Sequence, residues 1–203
     1  MKIIESKGAP NPRRVRIFLA EKGIDIGFEQ IDLGKLDHKR PEFCEYNPMK
    51  QVPVLILDDG TAIAETVAIC RYFEAVKPEP RLFGKGALDE ARIEMWNRRV
   101  EFGLFFPITQ IFRHLHPAMK DLEVPQVSAW AEANRPRVYD MLTLLDSELA
   151  SRAFMAGDSF TIADITALVA IDFMRPARLA RPPELANFTR WYDAAAARPS
   201  ANA

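Results

Sequence analysis

The order of short β-type runs and helical patterns at the start of the chain constrains the fold more than any other feature of this sequence. From residue 2 to residue 76 the pattern is β-α-β-α-β-β-α. The β-type runs lie at 2–5, 27–33, 54–57 and 61–64, and the helical patterns lie at 13–22, near 41–46 and at 67–76. A helix between the first two strands predicts that they pair in parallel, because such a crossover needs about a dozen residues or more. The turn LDDGT at 57–61 predicts an antiparallel hairpin between the last two strands.

The character of the sequence changes near residue 80. The stretch KPEPRLFGKGA, at about 77–87, is rich in proline, glycine and lysine and predicts a linker. Beyond it, apolar residues recur at steps of three and four, as they do over 93–104, which is typical of helices. We therefore expect an α/β domain over 1–80 and an all-helical domain over 88–203, whose last residues are frayed.

Composition and charge exclude several classes of partner. The 203 residues include 27 basic and 28 acidic side chains, for a net charge of -1, so no overall field attracts nucleic acid or an acidic membrane. No segment approaches the roughly 18 uninterrupted apolar residues of a membrane span, and the first residues lack a cleavable signal pattern. Cys44 and Cys70 share no short metal-ligand spacing and fit a reducing compartment. We expect a cytoplasmic protein with no bound metal.

The segment SFTIADI carries a complete helix-start signal. Thr161 can accept a hydrogen bond from the amide of Asp164 while Asp164 reaches back to Thr161, and Phe160 can pack on Ile165 as a hydrophobic staple. We interpret Asp164 as a structural residue, whose loss would remove a cap that stabilises by about 0.5–2 kcal/mol.

The first helix has a readable start and end. Asn11 suits the N-cap position, Pro12 suits the first helical residue, and Gly23 suits a left-handed C-terminal cap. The open amides at such a helix start stabilise an anion. Many α/β domains have helix starts of this kind, so the feature gains meaning only beside others.

The stretch QVPVLILDDGTAIAET supplies those other features. Where its hairpin ends, Thr66 can hold a carboxylate with its amide and hydroxyl while Glu65 holds an ammonium group, or the two form a helix N-cap pair without a ligand. If the Val52–Pro53 bond is cis, which only proline makes cheap, the Val52 amide and carbonyl face outward. A peptide ligand then pairs with them as an added strand.

At these positions the sequence resembles the cytosolic glutathione transferases, and in particular bacterial and fungal members that lack the catalytic tyrosine, serine or cysteine of the N-terminal domain. The matching segments are RRVRIFLAEKGI, HKRPEFCEYNPMKQVPVLILDDGTAIAETVAICRYFE and FMAGDSFTIADI. The resemblance covers essentially the whole chain. It implies a thioredoxin-like N-terminal domain, a helical C-terminal domain, no cofactor, and glutathione as a co-substrate joined to small hydrophobic electrophiles in detoxification.

Carried over residue by residue, the resemblance assigns a glutathione-binding set. It implies that His38 and Lys50 hold the glycine carboxylate, that Val52, before the cis-proline Pro53, pairs with the cysteinyl backbone, and that the γ-glutamyl end is held by Glu65 and Thr66. Many relatives have serine in place of this threonine, which keeps the hydroxyl.

The catalytic position departs from the family pattern, because GAPNP offers neither a hydroxyl nor a thiol. We therefore expect a further donor to the glutathione sulfur on the later helix, where Thr109 would hold a water and Arg113 would favour the thiolate. The side-chain amide of Asn11 is an alternative donor, and His114 and His116 are alternative bases.

The resemblance also implies a homodimer, with the segment Trp96-Asn97-Arg98 near the contact. One alternative function stays open, namely a non-catalytic module that binds glutathione or another protein on the same fold. Binding of glutathione without turnover would favour that alternative.

Overall fold

The chain folds into two compact units, and the computed structural model describes every residue from Met1 to Ala203. The first unit comprises Met1–Arg81 together with Pro199–Ala203, and the second comprises Leu82–Arg198. The C-terminal residues, which we expected to fray within the helical domain, instead form a 3₁₀ turn at Pro199–Asn202 in the first unit, with Ser200 and Ala201 buried. Arg13 donates a hydrogen bond to the Ala201 carbonyl at 3.0 Å, which fastens this tail to the first unit.

The first unit is a mixed four-stranded sheet with helices, which confirms the predicted thioredoxin-like fold. Its elements are β1 (Lys2–Glu5), α1 (Pro10–Lys22), β2 (Gly27–Gln30), a 3₁₀ turn (Asp37–Lys39), α2 (Pro41–Tyr46), β3 (Val54–Ile56), β4 (Ala62–Ala64) and α3 (Thr66–Val76). The strand order is β2-β1-β3-β4. As predicted, β1 and β2 are parallel and β3 and β4 form an antiparallel hairpin.

The hydrophobic core of this unit follows from the strand and helix patterns. All three residues of β3 are buried, because this strand lies between β1 and β4. On one side of the sheet, Ile4, Phe43, Val54 and Ile56 form a cluster. The packed sheet therefore holds the starts of α1 and α3 in place near the ends of its strands.

Helix α1 begins earlier than the sequence predicts. Ala9 occupies the N-cap position without a side-chain hydrogen bond, and Pro10 starts the helix. The predicted N-cap role of Asn11 is therefore wrong, because a proline before it already supplies a suitable first helical residue. The C-terminal prediction is confirmed, since Gly23 has φ 58° and donates to the carbonyls of Leu19 and Ala20.

The second unit is all helical, as predicted. Its elements are α4 (Ala87–Val100), a π-helical turn (Glu101–Phe105), α5 (Phe106–Leu115), a 3₁₀ turn (Pro117–Met119), α6 (Ser128–Leu149), α7 (Ile162–Met174) and α8 (Ala186–Ala196). Within the π-helical turn, the Phe106 amide bonds to the Glu101 carbonyl, and Pro107 follows directly. None of the helices in the chain combines the length and apolar character needed to cross a membrane.

The start of α7 forms the predicted capping box. The Asp164 carboxylate accepts hydrogen bonds from the Thr161 amide at 2.9 Å, the Met155 amide at 2.8 Å and the indole of Trp191 at 2.8 Å. Asp164 is fully buried, and this burial raises the pKa of its carboxyl to about 6. Its role in the fold is therefore to join the start of α7 to α8 and to the preceding loop.

The segment Trp96-Asn97-Arg98, which we expect near a dimer contact, lies largely within its own unit. Trp96 is 3% exposed and Asn97 is fully buried within the second unit. The Thr166 hydroxyl donates to the Asn97 side-chain oxygen at 2.7 Å, so this residue serves the interior of its own unit. Of the three, only Arg98 reaches the surface, where it pairs with Glu94 and Glu101.

Candidate functional site

A small pocket in the first unit brings together five of the residues that the sequence singles out. It lies where the start of α1, the segment before β3 and the start of α3 meet. Its lining residues are Asn11, Asn47, Gln51, Val52, Pro53, Glu65 and Thr66. Five of these seven were candidates from the sequence, while Asn47 and Gln51 were missed.

The backbone before β3 has the form that the sequence predicts. The Val52–Pro53 peptide bond is cis. Neither the amide nor the carbonyl of Val52 makes a backbone hydrogen bond within the chain, so both are available to an extended ligand. β3 is an inner strand of the sheet, but Pro53 lies just before its first residue. The missing amide hydrogen of Pro53 therefore interrupts no strand pairing.

Asn47 fixes the loop that carries Val52. Its side-chain nitrogen donates to the Gln51 carbonyl at 2.8 Å, and its side-chain oxygen accepts from the Met49 amide at 3.0 Å. Asn47 is only 3% exposed, which makes this cross-bracing a built part of the loop. The sequence signal was the dipeptide Asn47-Pro48, which is typical of a turn.

The start of α3 places a partial positive charge, from its open amides, close to the negative carboxylate of Glu65. Glu65 is the N-cap residue but its side chain does not cap the helix, and its carboxylate is exposed. Thr66, the first helical residue, is 6% exposed and lines the pocket. The first amides of α3 therefore remain open to an anion, while the Glu65 carboxylate attracts a cation. Glu65 has φ 69°, a conformation rare for a residue with a side chain.

His38 and Lys50 do not line this pocket. His38 lies in the 3₁₀ turn before α2 and is 7% exposed. Lys50 is exposed, has φ 57°, and donates its amide to the Asn47 carbonyl at 2.9 Å. Lys50 therefore flanks the loop that carries Val52.

The catalytic candidates fall in different units. Asn11 lines the pocket, and its side-chain oxygen accepts a hydrogen bond from Arg14 at 3.3 Å. Thr109 and Arg113 belong to the second unit, four residues apart on α5 as predicted. The Thr109 hydroxyl donates to the Phe106 carbonyl at 2.8 Å, which leaves its oxygen as an acceptor. Arg113 forms an ion pair with Glu123.

The two histidines at the end of α5 hold the segment that follows it. His114 accepts a hydrogen bond from the Val127 amide at 3.1 Å through Nδ1, and His116 accepts from the Ala118 amide at 3.2 Å in the same way. The Nε2 atom of His114 lies 3.8 Å from the Glu123 carboxylate. Both rings therefore have structural contacts within the second unit.

Neither cysteine supplies a nucleophile to the pocket. Burial raises the pKa of the Cys70 thiol to about 12, a shift that the nearby Arg14 guanidinium only partly offsets. The reactive form of cysteine is the thiolate, so Cys70 stays unreactive at neutral pH. Cys44 is not among the lining residues, and no group of three or more His, Cys, Asp and Glu side chains is arranged to hold a metal ion.

The open amides at a helix start, an exposed carboxylate beside them and an unpaired backbone segment before a cis-proline can together accommodate a zwitterionic, extended ligand. Two family models match the chain. One, described as glutathione S-transferase, N-terminal domain, matches residues 9–76, and the other, glutathione S-transferase, C-terminal domain, matches residues 105–199. The chain belongs to the glutathione S-transferase family.

Individual relatives agree with this assignment. The chain is 38% identical to "Glutathione S-transferase 2" of Saccharomyces cerevisiae over 98% of its own length and 87% of that protein. Among solved structures, it is similar to a glutathione S-transferase domain-containing protein of Marinobacter aquaeolei, with a TM-score of 0.96, 39% identity, and coverage of 98% of this chain and 99% of that one. It is also similar to Gtt2 from Saccharomyces cerevisiae, with a TM-score of 0.95, 38% identity, and coverage of 100% and 99%.

Proposed function

We propose that this protein is a glutathione transferase that joins the thiolate of glutathione to small hydrophobic electrophiles by nucleophilic attack at carbon. The observation that carries the proposal is the pocket itself, which brings Val52, Glu65 and Thr66 together in a chain of this family. The reaction forms a bond between sulfur and carbon. Either a leaving group departs with its electron pair or the electrons pass to an acceptor atom of the electrophile.

The γ-glutamyl end of glutathione fits the start of α3. Its carboxylate would accept hydrogen bonds from the amide and hydroxyl of Thr66, and its ammonium group would pair with the Glu65 carboxylate. The cysteinyl backbone would pair with the amide and carbonyl of Val52. The glycine carboxylate would extend toward Lys50 and His38, which supply positive charge or a donor near the loop before β3.

Activation of the thiol needs more than the start of α1. A free thiol titrates near about 8.5, and each pH unit of lowering takes about 1.4 kcal/mol. A helix terminus provides about 0.3–1 kcal/mol when exposed and up to about 2 kcal/mol when partly buried. A direct donor is therefore required, and Asn11 is the candidate that lines the pocket. Thr109, through a bound water, and Arg113, through its charge, would add to this stabilisation.

The protein is proposed to act in the cytoplasm as a homodimer in detoxification. Family membership supports the dimer, and so do the large apolar side chains that the second unit exposes on α4 and the turn after it, among them Met95 at 40% and Phe102 at 58%. A stable, active monomer in sedimentation equilibrium would contradict the homodimer.

The function is tested by calorimetry with glutathione, followed by an assay with a chlorinated nitroaromatic compound. We expect heat of binding at millimolar glutathione or below, and release of chloride with formation of the thioether. Correctly folded protein that gives no heat would contradict the proposal. Binding without turnover would instead favour the non-catalytic module.

Substitutions at the start of α3 should weaken glutathione binding selectively. Thr66→Val keeps the shape of the side chain but removes the hydroxyl, and Glu65→Gln keeps the size but removes the charge. A hydrogen bond to a charged group contributes about 1.5–3 kcal/mol, so each change is expected to raise the Kd about tenfold or more. Glu45→Gln, at an exposed position of α2, is the matched control and should bind normally. An unaltered Kd in both variants at the start of α3 would remove these residues from the binding set.

Substitutions on α5 test the second part of thiol activation. Thr109→Val and Arg113→Met are each expected to raise the pKa of the bound thiol by about half a unit to one unit, because each removes a group that favours the anion. The measurement is the ultraviolet absorbance of the thiolate in the complex as a function of pH. Gln110→Ala, on the same helix, is the control. A thiol pKa equal to that of the parent protein in both variants would exclude Thr109 and Arg113 from the mechanism.

A further inference from the structure

Arg14 is a buried arginine directly behind the pocket. It lies on α1, three residues after Asn11, and is 1% exposed. Helix α1 packs against α3, and the positive charge of Arg14 there partly offsets the rise that burial causes in the pKa of the Cys70 thiol. Cys70 in turn lies one helical turn after Thr66. Asn11 and Thr66 thus line the pocket, and Arg14 and Cys70 lie one turn further along the two helices.

The contact between Arg14 and Asn11 fixes which way the asparagine amide faces. An arginine guanidinium has five N–H donors and no acceptor. The atom of Asn11 that it contacts, 3.3 Å from the guanidinium nitrogen, must therefore be the side-chain oxygen. This contact leaves the Nδ2 group of Asn11, with its two hydrogens, available to donate to a ligand.

We propose that Arg14 is a positioning residue for thiol activation, which holds the Asn11 amide so that its Nδ2 group donates a hydrogen bond to the glutathione sulfur. This role rests on the proposed transferase function and explains how a chain without a hydroxyl or thiol at this position stabilises a thiolate. An unrestrained asparagine amide would present its oxygen as readily as its nitrogen. A carbonyl oxygen beside the sulfur disfavours the thiolate. The orientation of the Asn11 amide therefore decides whether it lowers or raises the pKa of the glutathione thiol.

Arg14 acts through its hydrogen bond to Asn11 and not through a long-range effect of its positive charge on the sulfur. The Glu74 carboxylate lies on the same helix as Cys70. It favours a higher pKa of the Cys70 thiol, whereas Arg14 favours a lower one. Glu74 also forms an ion pair with the buried Lys22. These charges of opposite sign offset one another at longer range, whereas the contact with Asn11 is local and directional.

The test measures the pKa of the thiol of bound glutathione, and separately the Kd for S-methylglutathione, which has no thiol to ionise. Asn11→Ala is expected to raise the thiol pKa by about one unit, since a hydrogen bond to a charged group is lost. Arg14→Met is expected to raise it similarly, Arg14→Lys less, and the double variant Asn11→Ala/Arg14→Met no further than Asn11→Ala alone. The Kd for S-methylglutathione should change less than about threefold in all of them. Arg13→Met, on the same helix, is the matched control and should keep the parent thiol pKa.

A folded Arg14→Met protein that binds S-methylglutathione and keeps the parent thiol pKa would overturn the role of Arg14. Since Arg14 is buried, Asn11→Asp provides a variant that leaves it a partner. Its carboxylate accepts from Arg14 but presents only acceptor atoms to the sulfur, so the thiol pKa should rise above that of Asn11→Ala. A parent thiol pKa in Asn11→Asp would also overturn the proposal. If the parent protein binds no S-methylglutathione, the proposed function fails and this role fails with it.

Discussion

Replacing Asp164 with alanine is expected to lower the free energy of unfolding by about 4 kcal/mol or more. The carboxylate accepts from the amides of Met155 and Thr161 and from the indole of Trp191, all in the interior of the second unit. Alanine offers these donors nothing, and each buried donor left without a partner costs about 1–3 kcal/mol. Urea unfolding followed by tryptophan fluorescence gives the measurement, because Trp191 reports on the same contact.

The control is Asp158→Ala, an exposed aspartate a few residues earlier in the same loop. We expect its free energy of unfolding to stay within about 0.5 kcal/mol of the parent value. A loss below about 1 kcal/mol in Asp164→Ala would show that this carboxylate does not organise the start of α7.

Replacing Lys22 with methionine is expected to cost about 3–5 kcal/mol of stability. The ammonium group of Lys22 is fully buried, forms an ion pair with Glu74 and donates to the carbonyls of Lys77, Pro78 and Pro80 at 2.9, 2.9 and 2.6 Å. It therefore ties the end of α1 to the chain that leaves α3. Removing one partner of a buried ion pair leaves the other charge uncompensated, which is the costly case.

The matched control for this prediction is Lys35→Met, at a side chain that is 76% exposed and 3.8 Å from its partner Asp32. Exposed pairs of this kind contribute about 0–1 kcal/mol. If chemical denaturation gives Lys22→Met and Lys35→Met the same stability, the buried cluster around Lys22 has no stabilising role.

Local patterns were enough to predict the order of elements and much of the site. The crossover between β1 and β2, the hairpin between β3 and β4, and the capping box at Thr161 and Asp164 all depend on residues close in sequence. The cis bond before Pro53 is a local feature as well, and so are the glutamate and threonine at the start of α3. Such features can be predicted from the sequence because they depend on steric and hydrogen-bonding interactions between residues that are close in the chain.

Features that depend on tertiary packing could not be predicted in the same way. Asn11 was expected to cap α1, but the helix starts one residue earlier. The Asn11 side chain instead accepts a hydrogen bond from Arg14 and lines the pocket. Trp96 and Asn97 are buried within their own unit, where Thr166 of α7 donates a hydrogen bond to Asn97. Asn47 braces the loop before β3 through contacts that no spacing rule specifies.

Hydrogen exchange at the Val52 amide reports directly on whether glutathione pairs with the backbone before Pro53. That amide makes no backbone hydrogen bond in the protein alone, and we propose that the cysteinyl unit of glutathione pairs with it. Saturating S-methylglutathione is expected to slow exchange at Val52 and at Thr66 by about tenfold or more, while cysteinylglycine, which lacks the γ-glutamyl unit, should not protect Thr66. Unchanged exchange at both amides, with S-methylglutathione demonstrably bound, would show that the ligand pairs with neither Val52 nor Thr66.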